Sequence, residues 1–284
     1  KKNLERIFKK TSCKLVPSKQ NLIDKIWNRK ANQREEKFYI LPKYAVGQNY
    51  KYKINSVIKI LKKLKVNFQF ISSGETVSLL LNIRGEDSEF APITNAYLTL
   101  DIRKNITLYC DLKKINLSFR KRFKDIRFID VKQMDLIFSK INNKKILIDP
   151  KTCSVYFENL LKNDNTLIYS DPISILKSIK SKNEIKNMIK CHIFDGVALT
   201  RFLFWIKKNY TKDKITEIKA QQKLLEFRKK NKNFKFLSFP TISGTGPNGA
   251  IIHYRASKSS NRILQKGDIY LVDSGGQYSF GTTD

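Results

Sequence analysis

A chain of 284 residues corresponds to about two domains at roughly 150 residues each, and 41% apolar residues with 11% aromatics suffice for packed cores, which excludes disorder throughout. No run of about 18 uncharged apolar residues occurs, which excludes a helical membrane span and leads us to expect a soluble protein. The 56 Lys+Arg against 25 Asp+Glu give +31, but lysines recur in nearly every block of ten and no RNA or DNA recognition motif accompanies them, so the charge reads as compositional and no nucleic-acid partner is expected.

In chain order, residues 4 to 16 read as a short basic helix with a strand-like exit, Cys13-Lys-Leu-Val16, that stops at Pro17. Asn21 to Trp27 has apolar residues at helical spacing, and the patternless stretch from Asn28 to Lys37 reads as linker. A new unit starts near Val46. Val57, Ile58, Ile60, Leu61 and Leu64 mark an amphipathic helix feeding the strand Asn67–Ile71, and the runs 96–102 and 106–112 form a hairpin across Arg103-Lys-Asn105. Lys145–Pro150 and Thr166–Tyr169 supply two more strands around a helical candidate at 151–162, so this middle region is an α/β domain.

Ser181-Lys-Asn-Glu184 has capping-box spacing and opens a long helix whose apolar face is Ile185, Met188, Ile189, Ile193, Leu199, Phe202, Leu203 and Ile206. On it, His192 reads as a partner-satisfied or exposed imidazole. A second helix follows Thr216 and runs through Leu224, Leu225 and Phe227; beyond residue 234, Phe236–Phe239, Ala250–Tyr254 and Ile269–Asp273 read as strands between Gly-rich and Ser-rich turns. Gly244-Thr-Gly246-Pro-Asn-Gly249 matches a dinucleotide fingerprint letter for letter. A pyrophosphate needs a helix starting at those glycines, and Pro247 followed by a short β-branched run forbids one, so a tight connection between strands is expected instead.

The four cysteines, Cys13, Cys110, Cys153 and Cys191, form no Cys-x-x-Cys pair, so neither a zinc knuckle nor a disulfide framework is implied, and a reducing cytosol fits. The chain opens Lys-Lys-Asn-Leu with no initiator Met and no signal sequence, as an internal piece of a longer protein would.

Chemistry concentrates near residue 284. Asp273 ends an apolar strand, where a carboxylate calls for a cation; Ser274-Gly-Gly276 permits a reversal, and Asp284 follows eleven positions later. Across such a hairpin the two carboxylates can face each other, an arrangement that repels unless hard divalent cations sit between them. His253 is the other group here able to titrate near neutrality. From spacing alone, turn carboxylates and a core histidine are an equal alternative.

A longer pattern bears on that choice. Ser238-Phe-Pro-Thr-Ile-Ser243, Gly246–Tyr254, Asn261-Arg262, Tyr270–Tyr278 and Gly281-Thr-Thr-Asp284 together resemble the catalytic domain of the aminopeptidase P family, in the creatinase/prolidase "pita-bread" superfamily of metallopeptidases. His192–Leu199, Thr216-Glu217, Glu226-Phe-Arg228, Leu80–Gly85 and Asn21–Trp27 extend the match and resemble its long three-domain form.

The resemblance implies an α/β (α+β) architecture: the end of a first domain at 1–17, a linker at 18–45, a second creatinase-like domain at 46–172 and the N-terminal part of a pita-bread domain at 173–284. It implies two divalent metals, most often manganese, one chelated by Asp273 and both bridged by Asp284, with His253 beside the scissile bond. The implied activity is hydrolysis of peptides with proline at the second position, by a cytoplasmic enzyme that is commonly a homodimer. The family's other ligands, one His and two Glu, lie beyond Asp284 in its pattern, so this chain alone is expected to be inactive. A metal-free relative serving as a protein or RNA interaction module is the alternative.

Overall fold

A computed structural model describes residues 2–16, 18, 21–27, 36–161 and 166–284. Helices α1 (Lys2–Phe8) and α2 (Leu22–Ile26) lead in; most of the linker expected at 28–37 lies outside the described residues. Cys13–Val16 forms no strand, because it meets no partner strand among the described residues.

The middle unit begins with β1 (Tyr39–Ile40) and runs through α3 (Tyr50–Lys63), β2 (Phe68–Ile71), α4 (Gly74–Leu81), β3 (Ile83–Arg84), β4 (Tyr97–Asp101) and β5 (Ile106–Cys110). It continues with α5 (Leu117–Arg122), β6 (Ile126–Asp130), α6 (Met134–Phe138), β7 (Ile146–Ile148), α7 (Val155–Leu160), β8 (Thr166–Ile168) and α8 (Ile173–Ser178). Six of these strands form one mixed sheet in the order β6-β5-β4-β2-β7-β8, antiparallel at β5–β4–β2 and parallel elsewhere. The β4–β5 hairpin closes as expected: the Asp101 carboxylate accepts from the amides of Arg103 and Asn105 at 2.8 Å, while Lys104 takes the positive φ of the turn.

Strand alternation explains why this sheet is covered on both faces. Leu98, Leu100, Leu108 and Leu147 point into a cluster with Ile54, Val57 and Leu61 of α3 and Val77, Leu80 and Leu81 of α4. Their neighbours Phe68, Phe70, Tyr109, Ile146 and Ile148 point the other way, onto Met134 and Phe138 of α6. Phe38, 1% exposed, joins the first cluster, and β1 pairs antiparallel with β3, so residues from Phe38 onward pack on this unit.

The second unit opens on α9 (Lys182–Asn209), whose capping box is complete: the Ser181 hydroxyl accepts from the Glu184 amide, and the Glu184 carboxylate accepts from the Ser181 amide at 2.8 Å. Then follow α10 (Glu217–Lys229), β9 (Phe234–Leu237), β10 (Ile242–Thr245), β11 (Tyr270–Asp273), β12 (Gly276–Tyr278) and β13 (Gly281–Thr282). Strands β10 and β11 form one antiparallel ladder, and β13-β12-β9 form another sheet.

The apolar stripe expected on α9 is buried only in its C-terminal half, where Leu199, Phe202 and Ile206 pack into a cluster with Ile215, Ala220 and Leu224. Asn187, Cys191, Asp195, Ala198 and Phe202 are buried at helical spacing, whereas Ile185, Met188, Ile189, Ile193 and Leu203 are exposed. Polar contacts select the inward face: Asn187 Nδ2 donates to the Tyr44 carbonyl at 2.6 Å, and Asp195 meets a buried arginine. His192 is exposed, with Nδ1 2.9 Å from the Met188 carbonyl. The two units touch again where Gln277 Nε2 donates to the Phe90 carbonyl at 2.9 Å.

Candidate metal-binding turn and histidine loop

Asp273 stands at the end of β11, and its exposed carboxylate lies just before the Ser274–Gly275 turn into β12. The expected pairing of Asp273 with Asp284 across one hairpin is corrected by the ladders. The hairpin is β12–β13, with Gln277 opposite Thr282 and Tyr278 opposite Gly281, while β11 belongs to the β10 ladder. The Thr283 amide donates to the Gly276 carbonyl at 2.9 Å, so Asp284 leaves the hairpin at the end where the chain arrives from Asp273.

That turn is tightly built. Ser238 contributes its amide to the Gly275 carbonyl at 3.1 Å and its hydroxyl to the Thr283 carbonyl at 2.8 Å. A Cβ on Gly275 would stand 2.1 Å from the Thr283 carbonyl oxygen, so only glycine allows this approach. Behind the turn, Arg228 of α10 is 1% exposed. Its Nε and Nη2 donate to the two carboxylate oxygens of Asp195 at 2.7 and 2.9 Å, and Nη2 also reaches the Ser274 hydroxyl at 3.1 Å. Tyr278 donates to Asp195 at 2.7 Å. Burial alone would raise the Asp195 pKa; the hydrogen bonds from Arg228 and Tyr278 and the guanidinium charge outweigh it and hold the carboxyl below its ordinary range. Burial, reinforced by the Asp195 charge, pushes the Tyr278 phenol up.

Residues 250–254, expected as a strand, are a correction. The glycine motif leads into a single 3₁₀ turn, Gly246–Ala250, with Gly246 at φ +55° and Pro247 near its start, and residues 251–260 run on as turns and irregular backbone. Pro247 supplies a fixed φ and no amide, which suits a helix start, but one short turn offers no dinucleotide platform. Rather than a tight strand connection, the segment from 246 to 269 is a long excursion between the paired strands β10 and β11. His253 therefore sits in a loop, exposed, with φ +55°. His253 and Asp273 line one open concavity of about 520 Å³, whose other walls include Ile242, Ala250, Ile252 and Leu271.

The donor chemistry at the turn suits a hard divalent cation: both carboxylates are exposed, and among the described residues neither has a hydrogen bond or ion pair. The number of donors does not suffice, because no group of three His, Cys, Asp or Glu among the described residues is placed to hold an ion.

Residues 28–184 match the model of the creatinase/prolidase N-terminal domain, and residues 186–284 match that of metallopeptidase family M24. The chain is 34% identical to a probable Xaa-Pro aminopeptidase P of Laccaria bicolor, over 95% of this chain and 43% of that protein. It is 33% identical to an Xaa-Pro aminopeptidase of Drosophila melanogaster, over 100% of this chain and 47% of that one. Among solved structures, the cytosolic X-prolyl aminopeptidase of Caenorhabditis elegans, described as having a di-nuclear active site, superposes with a TM-score of 0.92 at 24% identity, covering 99% of this chain and 48% of that one. A Bacillus anthracis Xaa-Pro dipeptidase superposes at 0.63 and 17% identity, covering 81% of this chain and 62% of that one. The chain thus spans about half the length of the curated relatives it matches. An α/β unit matching the creatinase/prolidase N-terminal domain, followed by the start of a pita-bread unit, places this chain in the M24 metallopeptidase family, with the aminopeptidase P members among its relatives.

Proposed function

We propose that this chain is part of a metal-dependent aminopeptidase that removes an N-terminal residue preceding proline. The observation that carries the reading is the shared concavity of His253 and Asp273, beside a turn that also delivers Asp284 with its carboxylate unpartnered among the described residues. Asp273 and Asp284 are the ligands this chain contributes to a pair of divalent ions, with manganese our choice among the hard cations. When bound, such ions supply a Lewis acid and a nucleophilic hydroxide at neutral pH. His253 faces the substrate and orients the peptide or moves a proton. The apolar walls at Ile242, Ala250 and Leu271 suit a proline ring and its neighbour. A dedicated enzyme is chemically reasonable, because proline has a fixed φ and no amide hydrogen, so sites that bind substrate as an extended strand handle that bond poorly.

The 284-residue chain alone, lacking a cluster of three ligands among its described residues, is proposed to be inactive. We place the domain division close to where the sequence put it: the unit expected at 46–172 also takes in residues from Phe38 and runs to α8, the next unit opens at α9, and residues 1–17 end an earlier domain. A cytoplasmic homodimer without a nucleic-acid partner completes the proposal; among the described residues, no helix is long and apolar enough to cross a membrane. The test is hydrolysis of matched Xaa-Pro and Xaa-Ala peptides by the complete protein, stripped of metal and then supplied with manganese. Manganese-dependent release of the N-terminal residue from the proline peptide alone supports the reading; equal cleavage of both peptides, or cleavage indifferent to chelator, contradicts it.

A further inference from the structure

Glu217 is 0% exposed and has no cationic side chain bonded to it among the described residues. It opens α10, directly after the N-cap Thr216, a position where acids ordinarily sit in solvent and complement the helix dipole. Here the carboxylate turns away from its helix and gathers donors from one segment. One oxygen accepts from the Thr245 amide at 2.8 Å and from Asn248 Nδ2 at 3.0 Å. The other accepts from the Tyr254 hydroxyl at 2.8 Å and the Arg262 amide at 3.0 Å. The two amides flank the loop that carries His253; the two side chains lie within it.

Within that loop Asn248 and Tyr254 also bond Ser260, and the Asn261 side chain accepts from the Ile218 amide, but Glu217 is the acceptor that joins its ends to its middle. Of residues 246–262, Tyr254 alone is buried, and its phenol is one of the four donors to Glu217. The next residue back, His253, keeps a positive φ, which a non-glycine residue holds only where its surroundings fix it. The Glu217 backbone adds to the clamp: its amide donates to the Arg262 carbonyl at 3.0 Å, and its carbonyl accepts from the Ser243 hydroxyl at 2.9 Å.

From this geometry we infer that Glu217 is the positioning residue for His253: a buried acceptor that fixes both ends and the middle of the 246–262 loop and so sets the imidazole against the Asp273 concavity. Its part in the reaction rests on the function proposed above; its hold on the loop does not. A glutamine at 217 keeps the volume but turns one acceptor oxygen into a donor, so either the Thr245 or the Arg262 amide meets an N–H.

The experiment compares the complete protein with E217Q, H253A and the double variant, reading amide exchange by mass spectrometry, bound manganese, and kcat and KM on an Xaa-Pro peptide. In E217Q, peptides covering Thr245 and Arg262 exchange roughly tenfold faster or more, while those of β2, β4 and β7 are unchanged. Bound manganese is unchanged, kcat falls, and adding H253A to E217Q costs no more than H253A alone. Unchanged exchange across 243–262 overturns the inference, as do losses that multiply in the double variant. If E217Q fails to fold, Tyr254→Phe removes one donor and keeps the ring; the same local acceleration is expected, and its absence overturns the inference. A complete wild-type protein that cleaves no Xaa-Pro peptide sinks the proposed function, and amide exchange then judges Glu217 by itself.

Discussion

Replacing Asp195 by asparagine keeps the shape of the side chain and removes the only counter-charge of Arg228 among the described residues. The guanidinium stays where it was, with its side chain 0% exposed, and Nη1 already has no hydrogen-bond partner among those residues. Leaving one partner of a buried pair uncompensated costs about 3–5 kcal/mol, far more than an exposed pair would. Amide exchange in α9 and α10 measures this locally, which suits a protein of more than one unit better than a single unfolding midpoint. A cost of about 3 kcal/mol speeds exchange by roughly 100-fold or more. The partner experiment, D195L with R228M, removes both charges and is expected to cost much less than the sum of the single changes. The pH dependence carries a sign. Asp195 titrates below its ordinary 3.8 in the folded protein, so the unfolded chain takes up the proton first as pH falls. The contribution is complete above about pH 4 and is lost below it, as pH falls through the folded value. Acceleration under about tenfold in D195N, or a contribution already lost at pH 6, refutes the reasoning.

Two further predictions concern other parts of the molecule. Gly275→Ala drives a Cβ against the Thr283 carbonyl, so the complete protein should lose bound manganese while the β4–β5 hairpin keeps its amide protection; full metal content would refute the role given to this turn. Lys53 is 5% exposed, and burial, opposed by Glu184, lowers its pKa to about 8. Between there and 10.5 the unfolded chain binds more protons, so this group makes stability rise with pH from 8 toward 10, and Lys53→Met should flatten that rise in urea midpoints.

The middle sheet was legible because its strands alternate cleanly and their turns carry the right residues, as at Asp101–Asn105. Strand β6 was missed: Ile-Arg-Phe-Ile-Asp has the alternation but no flanking turn signal. The loop at 250–254 misled because Ile251, Ile252 and Tyr254 have strand propensity, whereas the position of Tyr254 is decided by one buried acceptor far away in sequence. For α9, periodicity located the helix and the buried face of its C-terminal half but missed that of its N-terminal half, since hydropathy does not register that Asp195 must meet Arg228. In the string Glu226-Phe-Arg-Lys-Lys230, nothing marks Arg228 as the buried base among its exposed neighbours. Asp273, Asp284 and His253 were singled out by sequence as candidates; Glu217 and Arg228 lie in segments that the family resemblance covers, and only contacts reveal what they hold.

The central claim is that Asp273 and Asp284 bind the catalytic metals. It is tested most directly by Asp273→Asn and Asp284→Asn in the complete protein, with manganese content and Xaa-Pro hydrolysis measured together. The account predicts that each substitution lowers bound metal and cuts kcat/KM by at least about 100-fold, while the six-stranded sheet keeps its amide protection. Unchanged metal content and unchanged hydrolysis in both variants would contradict it.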